Sequence, residues 1–294
     1  MSAALPNLVV IGAMKCGTTS LRHYLDSHPE IQMAAGGLNF FLESHNWHRG
    51  LDWYRSHFEG AAKVRGDTSP RYANHPLDPG AAEKMYAVLP NAKLLYLVRD
   101  PIERLVSHYC HAYADGIENR SLEEALADTG ASAHSNPYVC RSLYQLQLDR
   151  YLAHYPMSQL LVIHHEDLRD RRQETLRAVF RFLEVDDSFV SSVFDAVRHR
   201  TADKRRWTAL GRRVVTSRPF AFLAARDPAS AERLRRPLER TLSRRVERPL
   251  LSAALRRMLM QIFRDDLVRP PALAGRYADR WKSAQREVGG AAPE

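Results

Sequence analysis

The sequence predicts an α/β fold in which a doubly wound parallel sheet is flanked by helices. Three short runs are almost wholly apolar, at Leu8–Ile11, Lys93–Val98 and Leu160–Ile163. Strands of a parallel sheet are covered on both faces, so they read as continuous apolar runs and not as alternating ones. Segments with apolar residues at helical spacing follow these runs. Such alternation of strand and helix is typical of a parallel sheet.

The N-terminal part of the chain predicts the first strand and helix. Leu8–Ile11 is the strand, and Thr18–Ser27 is the helix after it, with Leu21 and Leu25 four residues apart on one face. Ile31–Met33 then predicts a short extended segment.

The middle of the chain continues the alternation. Lys63–Pro70 predicts a short strand that runs into a turn, which places Asp67 near the carboxyl end of the strand. Ala81–Leu89 predicts a helix, Lys93–Val98 a buried strand, and Ile102–Tyr113 the next helix. Ligands of open α/β sheets bind outside the carboxyl ends of the strands, so we expect Asp67 near the site.

Three further helices are predicted beyond this point. Ser121–Ala127 is a short one, because Ser121-x-x-Glu124 is a capping box. Val139–Tyr155 predicts a single long helix with its leucines facing inward, and Gln173–Leu183 predicts another.

The composition changes after about residue 197. Residues 198–249 contain sixteen Arg or Lys against five Asp or Glu, and four X-Pro pairs are expected to divide the segment into short helices. Leu255–Leu267 predicts a further amphipathic helix. We interpret residues 1–294 as one domain with a core over about 6–197, a basic helical region over about 198–283, and a disordered tail over 284–294.

Composition limits the function classes. The apolar content of 45% suits a globular core, and no apolar run approaches the roughly 20 residues that span a bilayer. The N-terminus lacks the features of a leader, so we expect a cytoplasmic protein with no membrane partner and three reduced cysteines. The net charge of +9 indicates an anionic ligand or partner. The basic segment lacks interleaved aromatics, so we do not expect nucleic acid.

A glycine-bracketed loop follows the first strand. The spacing Gly12-x4-Gly17 is that of a Walker A loop, which makes the predicted fold P-loop-like. Backbone N–H groups of such a loop, with the N-terminus of the following helix, bind phosphate or sulfate. The residue after the second glycine is Thr18, where a Walker A loop has lysine, and the lysine stands inside the loop as Lys15.

A second phosphate site is indicated at the end of another strand. Arg99-Asp100-Pro101 ends the run Lys93–Val98, and Ser107 lies about two turns into the next helix. The planar fork of an arginine and a serine hydroxyl can bind one phosphate together. A local Arg–Asp pair explains the tripeptide equally well when it is taken alone.

Metal binding is not expected. Histidines occur in pairs, but no carboxylate or cysteine stands at ligand spacing to complete a set. The pairs are His45/His48, His108/His111 and His164/His165.

The loop, the Arg99-Asp100-Pro101 strand end and Ser107 together resemble the sulfotransferase family that uses 3′-phosphoadenosine 5′-phosphosulfate (PAPS). The chain is similar to the branch shared by bacterial carbohydrate and small-molecule sulfotransferases and the sulfotransferase domains of heparan sulfate enzymes. The resemblance runs from about Leu8 to Leu183 and resumes weakly over Leu255–Trp281. It implies transfer of a sulfuryl group from PAPS to a hydroxyl of a carbohydrate or small-molecule acceptor, with release of PAP and no metal.

The resemblance also implies roles for donor-site residues. Lys15 contacts the bridging oxygen and the sulfonate, where a fixed cation stabilises the charge that develops on the leaving phosphate. Arg99 and Ser107 hold the 3′-phosphate, and a basic stretch closes over the nucleotide. The nucleotide-binding set implied is Lys15, Cys16, Gly17, Thr18, Thr19, Ser20, Arg99, Ser107, Tyr144, Lys204, Arg205 and Arg206.

One departure from the family concerns the general base. Relatives usually carry a Lys-Glu pair before two aromatic residues, and that glutamate takes the proton of the acceptor hydroxyl. Here the matching positions are Gly36 and Gly37. General base catalysis contributes roughly 10²–10⁴-fold, so the loss is large unless another group replaces it. The acceptor region implied is Gly37, Asn39, Phe40, Phe41, Glu43 and Trp47.

Several explanations stay open at this point. We favour Asp67 as the replacement base and count it with Lys15 as catalytic, while Glu43 or His45 are alternatives. If none of these groups replaces the glutamate, the chain is a sulfotransferase of weakened activity, or it uses an acidic acceptor such as a phenol.

Two other function classes stay open. The protein is a non-catalytic binder of PAP or another anion, or it is a P-loop kinase. A kinase requires a lysine directly after the second glycine, and the sequence has Thr18 there.

Overall fold

A five-stranded parallel sheet forms the centre of the protein in the computed structural model, which describes residues 4–58, 60–130, 133–195 and 204–267. The strand order is β2-β3-β1-β4-β5, and every neighbouring pair is parallel. The strands are β1 (Leu8–Gly12), β2 (Ile31–Met33), β3 (Val64–Thr68), β4 (Lys93–Val98) and β5 (Leu160–His164). The predicted fold class is therefore confirmed.

Helices connect and cover the strands. The helices in the region up to residue 195 are α1 (Thr18–Asp26), α2 (Gly50–Arg55), α3 (Ala81–Val88), α4 (Pro101–Ala114), α5 (Leu122–Leu126), α6 (Pro137–Cys140), α7 (Tyr144–Leu152), α8 (His165–Asp170) and α9 (Arg172–Leu183). The capping box predicted at Ser121 and Glu124 is present at the start of α5.

Strand β1 is the central strand of the sheet, and each of its five residues is buried. It pairs with β3 through Leu8–Gly66 and with β4 through Leu8–Lys93. The order of the strands places the ends of β1, β3 and β4 side by side at one edge. The carboxyl ends of these three strands are therefore neighbours, and Lys15, Asp67 and Arg99 lie at or directly after them.

The single long helix predicted over Val139–Tyr155 is wrong. The chain forms α6 and α7 instead, with a break at residues 141–143. The side chains at the break bind other elements: Arg141 Nε donates to Asn74 Oδ1 at 2.6 Å, and Ser142 Oγ donates to the carbonyl of Pro101 at 2.9 Å. These tertiary hydrogen bonds outweigh the continuous helical pattern of the leucines.

The basic region contains a hairpin that the sequence did not predict. Strands β6 (Arg205–Trp207) and β7 (Ser243–Arg245) pair antiparallel. Between them lie α10 (Ala209–Val215), α11 (Arg218–Arg226) and α12 (Pro228–Leu242). The break expected at Arg236-Pro237 is also wrong, because α12 continues through Pro237. Packing of α12 against α10, α11 and β7 keeps the helix continuous despite the missing N–H.

The last described helix, α13 (Ala253–Leu267), joins a second apolar core with α4. Leu259 and Phe263 are buried there. Asp266 accepts hydrogen bonds from the backbone N–H groups of Gln145 and Leu146, both at 3.0 Å, and so caps the N-terminus of α7.

Some predictions lie outside the described residues. These are the tail over 284–294, the end of the weak resemblance at Trp281, and the parts of the basic region over 198–203 and 268–283. Among the helices that are described, none is both long and apolar enough to cross a bilayer. The three cysteines are buried and unpaired.

Candidate functional site

The loop between β1 and α1 has the form of an anion site. Lys15 and Gly17 both have positive φ, 75° and 96°. Leu21 N–H donates the bond to the Gly17 carbonyl, at 3.0 Å, so the N–H groups of Thr18 and Thr19 precede the first intrahelical bond. N–H groups in this position, at the positive end of the helix dipole, stabilise a bound phosphate or sulfate.

Two glycines allow this loop to form. Gly17 adopts a left-handed conformation, and a Cβ there would lie 3.1 Å from His165 Nδ1. A Cβ on Gly12 would lie 2.8 Å from the Cβ of Ala73 and 2.9 Å from Tyr96 Cε2. The spacing of the two glycines in the sequence therefore reflects backbone conformation at one end of the loop and close packing at the other.

Tyr144 lies buried beneath the loop and joins it to β4. Its hydroxyl is 3.6 Å from Cys16 Sγ and accepts a hydrogen bond from Arg99 N–H at 3.3 Å. Burial raises the pKa of the Cys16 thiol to about 11, so the thiol is protonated at neutral pH. Cys16 and Tyr144 therefore support the loop from below.

Lys15 is surrounded by positive charge. Burial is the largest cause that lowers its pKa to about 8, and the neighbouring charge of Lys204 is the next cause, while Asp115 opposes the shift. Lys204 Nζ lies 3.2 Å from His111 Nδ1, and His111 lies 3.3 Å from Asp115. The positive charge of Lys204 therefore acts on Lys15, and the nucleotide-binding role that the resemblance implies for Lys204 stays a prediction.

The other two residues of the basic stretch bind protein groups. Arg205 Nε donates to Ser243 Oγ at 2.7 Å within the hairpin. Arg206 lies over the ring of Tyr113, 3.9 Å from its centroid, and its Nη1 donates to the carbonyl of Glu118 at 3.1 Å. Both arginines hold the hairpin against its neighbours, with Arg206 on the C-terminal part of α4.

The predicted 3′-phosphate residues lie at the start of α4. Asp100 caps the helix by accepting a hydrogen bond from Glu103 N–H at 2.8 Å, and Ser107 is buried on the same helix. Arg99, at the end of β4, has its Nη2 3.3 Å from Glu103 Oε2. Because β1 and β4 are neighbours, Arg99 and the Lys15 loop lie at the same edge of the sheet.

Asp67 lies at the centre of a buried hydrogen-bond network. Its Oδ1 accepts from Ser69 Oγ at 2.8 Å and from Leu38 N–H at 3.4 Å. Its Oδ2 accepts from the hydroxyls of Tyr72 and Tyr54 at 2.8 and 3.3 Å. The side chain has no exposed surface, and burial raises its pKa although these bonds oppose the rise.

The same network holds the loop over residues 37–40. Gly37 of this loop matches the position of the glutamate that the resemblance implies. Asn39 N–H donates to Ser69 Oγ at 2.9 Å, and Phe40 N–H donates to the hydroxyl of Tyr72 at 2.8 Å. A Cβ on Gly37 would meet the carbonyl oxygen of Thr68 at 3.0 Å, whereas a Cβ on Gly36 would meet no atom within 4 Å.

The aromatic residues of this region are mainly core. Phe40 and Phe41 are buried, and Phe40 stacks on Tyr54 with ring centroids 4.3 Å apart. Trp47 and Trp53 are partly buried and pack against this core. Trp47 and Trp53 keep some exposed surface that an acceptor could contact, whereas Tyr54 is completely buried.

Glu43 and His45 have different partners. Glu43 pairs with Lys84, whose ammonium lies 5.4 Å from the ring centroid of Trp47. His45 Nδ1 is 2.9 Å from Ser44 Oγ, and Ser44 Oγ donates to Asp78 Oδ1 at 3.1 Å. A carboxylate only accepts, so the single hydroxyl proton of Ser44 is used on Asp78 and His45 Nδ1 must be the donor. In the neutral imidazole, the lone pair of His45 then lies on Nε2.

A buried cationic cluster was missed in the sequence. Arg104 has no exposed surface and donates to Ser142 Oγ and the Tyr138 carbonyl, both at 2.5 Å, while its Nη1 lies buried without a hydrogen-bond partner among the described residues. Arg141 Nη1 is 2.9 Å from His108 Nε2. The only sequence feature that points to this cluster is that Arg104 follows Arg99 by five residues. That spacing by itself does not indicate which groups Arg104 contacts.

Within the described ranges, no three His, Cys, Asp or Glu side chains are grouped so that they could hold a metal ion.

The geometry at the end of two neighbouring parallel strands suits an anion, and comparison with known proteins gives the family of the chain. Residues 5–210 match the model of the sulfotransferase domain, so the chain belongs to the sulfotransferase domain family. A solved sulfotransferase from Alicyclobacillus acidocaldarius superposes with a TM-score of 0.68 and 25% identity, over 95% of this chain and 99% of the other.

Curated relatives match over shorter lengths. The membrane-associated sulfotransferase kil1 of Dictyostelium discoideum is 40% identical over 110 residues, which is 36% of this chain and 22% of that protein. The human heparan sulfate glucosamine 3-O-sulfotransferase 5 is 28% identical over 61% of this chain and 53% of its own length. The human bifunctional heparan sulfate N-deacetylase/N-sulfotransferase 2 is 27% identical over 61% of this chain and 22% of its own length. The chain thus spans between about a fifth and about half of these relatives.

Proposed function

We propose that the protein transfers a sulfuryl group from PAPS to a hydroxyl of a carbohydrate or small-molecule acceptor by in-line displacement. The observation that carries the proposal is the position of Lys15. It lies inside the glycine-bracketed loop after β1, next to the strand that ends at Arg99. Membership of the sulfotransferase domain family supports the same reaction.

The residues of the loop fit a 5′-phosphosulfate. The N-terminus of α1 offers N–H groups, and the hydroxyls of Thr18, Thr19 and Ser20 stand at the same end. The positive φ of Lys15 is a conformation that non-glycine residues rarely adopt, and such strain is found at ligand sites. PAPS supplies an activated sulfuryl group, and Lys15 would stabilise the negative charge that develops at the leaving phosphate.

The remaining donor residues would hold the nucleotide at its other phosphate. Arg99 and Ser107 form one side of that subsite, and Lys204 adds a charge that reaches Lys15. Positioning and electrostatic stabilisation would then account for most of the catalysis, as they do in phosphoryl transfer.

The geometry of Asp67 favours a positioning role over proton removal. A general base needs to reach the proton that it abstracts, and Asp67 is completely buried with both oxygens bonded. Asp67→Asn is expected to lower kcat at least tenfold through displacement of the loop over 37–40. Wild-type turnover of this variant across a pH series would contradict both the positioning role and the earlier prediction that Asp67 is the base.

We propose His45 as the base in place of the glutamate that Gly37 lacks. Ser44 and Asp78 fix the imidazole so that Nε2 carries the lone pair, in the way that a carboxylate fixes a catalytic histidine. Glu43 is less suited, because Lys84 already neutralises it. A protein without any base is the alternative, and it requires an acidic acceptor hydroxyl such as that of a phenol.

Location and partners complete the proposal. We expect a cytoplasmic protein that needs no metal and binds neither nucleic acid nor membrane, while its oligomeric state is open. The heparan sulfate relatives direct attention to carbohydrate acceptors, and the half-buried Trp47 would suit a sugar face or an aromatic ring.

Calorimetry with PAP and with Mg²⁺-ATP tests the donor assignment. We expect PAP to bind in the absence of Mg²⁺, with at least tenfold higher affinity than ATP. The variant Arg99→Ala should bind PAP at least tenfold more weakly than the wild type. Equal or tighter binding of Mg²⁺-ATP would favour a kinase instead. Binding of PAP without any transfer would favour a non-catalytic binder.

A further inference from the structure

Arg141, at the break between α6 and α7, is a buried cation without a negative partner. Only 8% of the residue is exposed, and it forms no ion pair with any carboxylate of the described residues. Burial is the largest cause that lowers its pKa to about 10, so the guanidinium is charged at neutral pH. Charged side chains are rarely buried unless an opposite charge pairs with them, which points to an anionic ligand.

Neutral groups hold the guanidinium of Arg141 in place. Nε donates to Asn74 Oδ1 at 2.6 Å, and Nη1 lies 2.9 Å from His108 Nε2. Because an arginine only donates, Nε2 of His108 is the acceptor in this contact. Burial and the neighbouring Arg104 and Arg141 hold the pKa of His108 well below its usual range, so the imidazole is neutral. Its neighbours thus fix Arg141 without neutralising its charge.

The third nitrogen of the guanidinium is available to a ligand. Arg141 Nη2 has no hydrogen-bond partner within the part of the chain that the structure describes. Unlike Nη1 of Arg104, it is not enclosed by protein atoms. A fixed, charged donor that keeps a free N–H group at the surface of a cluster is suited to binding an anion.

Arg141 lies against the loop that carries Lys15. Its Nη1 is 3.7 Å from Sδ of Met14, the residue directly before Lys15. The segment after β3, which supplies the Asn74 acceptor, is tied to β1 because Ala73 N–H donates to the carbonyl of Ile11 at 3.0 Å. Arg141 therefore contacts both the β1–α1 loop and the segment that follows β3.

The proposed reaction provides an anion at this place. In-line transfer breaks the bond between sulfur and the bridging oxygen, and the electron pair of that bond goes to the phosphate of PAP. The acceptor oxygen forms the new bond to sulfur, and its proton passes to the proposed base, His45. The oxygens of the sulfuryl group carry negative charge throughout, and a preorganised cation beside Lys15 would stabilise them.

We propose that Arg141 is a further catalytic residue, whose Nη2 binds the oxygens of the sulfuryl group while it is transferred. The proposal rests on the proposed function, since only a sulfuryl donor brings this group to the loop. The competing explanation is structural: Arg141 only joins α4, the β1–α1 loop and the segment after β3, and it touches no ligand.

The test compares two nucleotides that differ only in the sulfuryl group. Binding of PAPS and of PAP, without an acceptor, is measured by calorimetry for the wild type, for Arg141→Gln, and for Arg235→Gln as a control. Arg235 is an exposed arginine on α12, so its replacement changes the net charge equally. We expect Arg141→Gln to bind PAPS about tenfold or more weakly, and PAP less than twofold more weakly. Arg235→Gln should change both less than twofold.

Two results of this comparison would overturn the proposal. One is unchanged binding of PAPS by Arg141→Gln, and the other is an equal loss for both nucleotides, which a structural role of Arg141 predicts. Failure of the proposed function looks different, because the wild type itself would then bind neither nucleotide more tightly than ATP or would transfer no sulfate.

Arg141→Lys separates charge from structure. A lysine keeps the charge but has a single nitrogen, so it cannot make the bonds to Asn74 and His108 and also reach a ligand. In labelled-sulfate transfer at saturating PAPS, the turnover of Arg141→Lys should exceed that of Arg141→Gln at least tenfold, although chemical denaturation should give both variants similar stability. Equal turnover of the two variants would refute the catalytic role. If Arg141→Gln does not fold, Arg141→Lys takes its place in the binding test, and an equal loss for PAPS and PAP again overturns the proposal.

Discussion

At the scale of single residues, the proposed chemistry depends on Lys15. It is the loop lysine displaced from the Walker A position, and burial together with Lys204 and two arginines brings its pKa to about 8. An anion bound beside it would favour the charged form and raise this pKa again. Binding of the donor and protonation of Lys15 are therefore linked.

This linkage predicts proton uptake when PAP binds near pH 8. About half of the Lys15 side chains are neutral at a pH equal to their pKa, so binding should take up about half a proton. At pH 6 the lysine is already charged, and its contribution to the uptake should vanish. Calorimetry in buffers of different ionisation enthalpy measures the uptake directly.

Lys15→Met is the matched control for this measurement. It should remove the uptake at pH 8 and leave only the protons that belong to the nucleotide phosphates. Equal proton uptake by the variant and the wild type would show that Lys15 does not contact the bound anion.

The replacement base is the second residue that can be tested alone. His45→Ala should lower turnover of the labelled-sulfate reaction at least tenfold, and added imidazole should restore part of it, because the small base can occupy the vacated position. His48→Ala, three residues further on, is the control and should change turnover less than twofold. Wild-type turnover of His45→Ala would exclude His45 as the base.

A glutamate at the family position should compensate for the loss of His45. In the His45→Ala background, Gly37→Glu is expected to raise turnover at least tenfold, since a carboxylate then stands where relatives have their base. The new Cβ has to move a few tenths of an ångström away from the Thr68 carbonyl, which is 3.0 Å away. Gly36→Glu has open space and should give no gain. An equal gain at both positions would argue against a specific base at 37.

At the scale of elements, the turn after β3 controls the loop before the paired aromatics. Asp67, Ser69 and Tyr72 supply the acceptors for three successive backbone N–H groups, those of Leu38, Asn39 and Phe40. The end of one strand thus fixes a loop that has no regular structure of its own. The position of this loop therefore depends on buried polar contacts and not on helix or sheet pairing.

Tyr72→Phe measures the strength of this connection. The change removes a hydroxyl that donates to Asp67 and accepts from Phe40, so it should lower the free energy of unfolding by about 1–3 kcal/mol. Tyr54→Phe removes only the longer bond to the same carboxylate, and it should cost about 1 kcal/mol or less. Chemical denaturation measures both, and a larger loss for Tyr54→Phe would contradict the role given to Tyr72.

Apolar runs and glycine spacing were sufficient to predict the parallel strands, since burial on both faces leaves a clear pattern. The break between α6 and α7 could not be predicted, because it depends on contacts of Arg141 and Ser142 with residues far away in the sequence. The β6–β7 hairpin was missed for a similar reason: its strands are three residues long, arginine-rich and separated by three helices. In the candidate site, the proposed phosphate-binding positions follow local motifs, whereas the link from Asp78 through Ser44 to His45 depends on tertiary contacts.

At the scale of the whole molecule, the positive charge is unevenly distributed along the chain. Residues 198–249 have sixteen basic against five acidic residues, an excess greater than the net charge of +9, so the remainder of the chain is slightly acidic. The described part of this region forms the β6–β7 hairpin and its helices, and the hairpin contacts α4. This arrangement places the excess charge next to α4, where it would attract the proposed donor, which carries several negative charges.

Transfer of labelled sulfate from PAPS tests the central claim most directly. The protein is incubated with labelled PAPS, without divalent metal, and with a panel of phenols, monosaccharides and oligosaccharides. We predict a labelled sulfate ester on at least one hydroxyl acceptor, formed by the wild type and abolished in Lys15→Ala. Label that stays on PAPS throughout, although PAP binds tightly, or product formed equally well by Lys15→Ala, would contradict the claim that this is a sulfotransferase whose chemistry depends on Lys15.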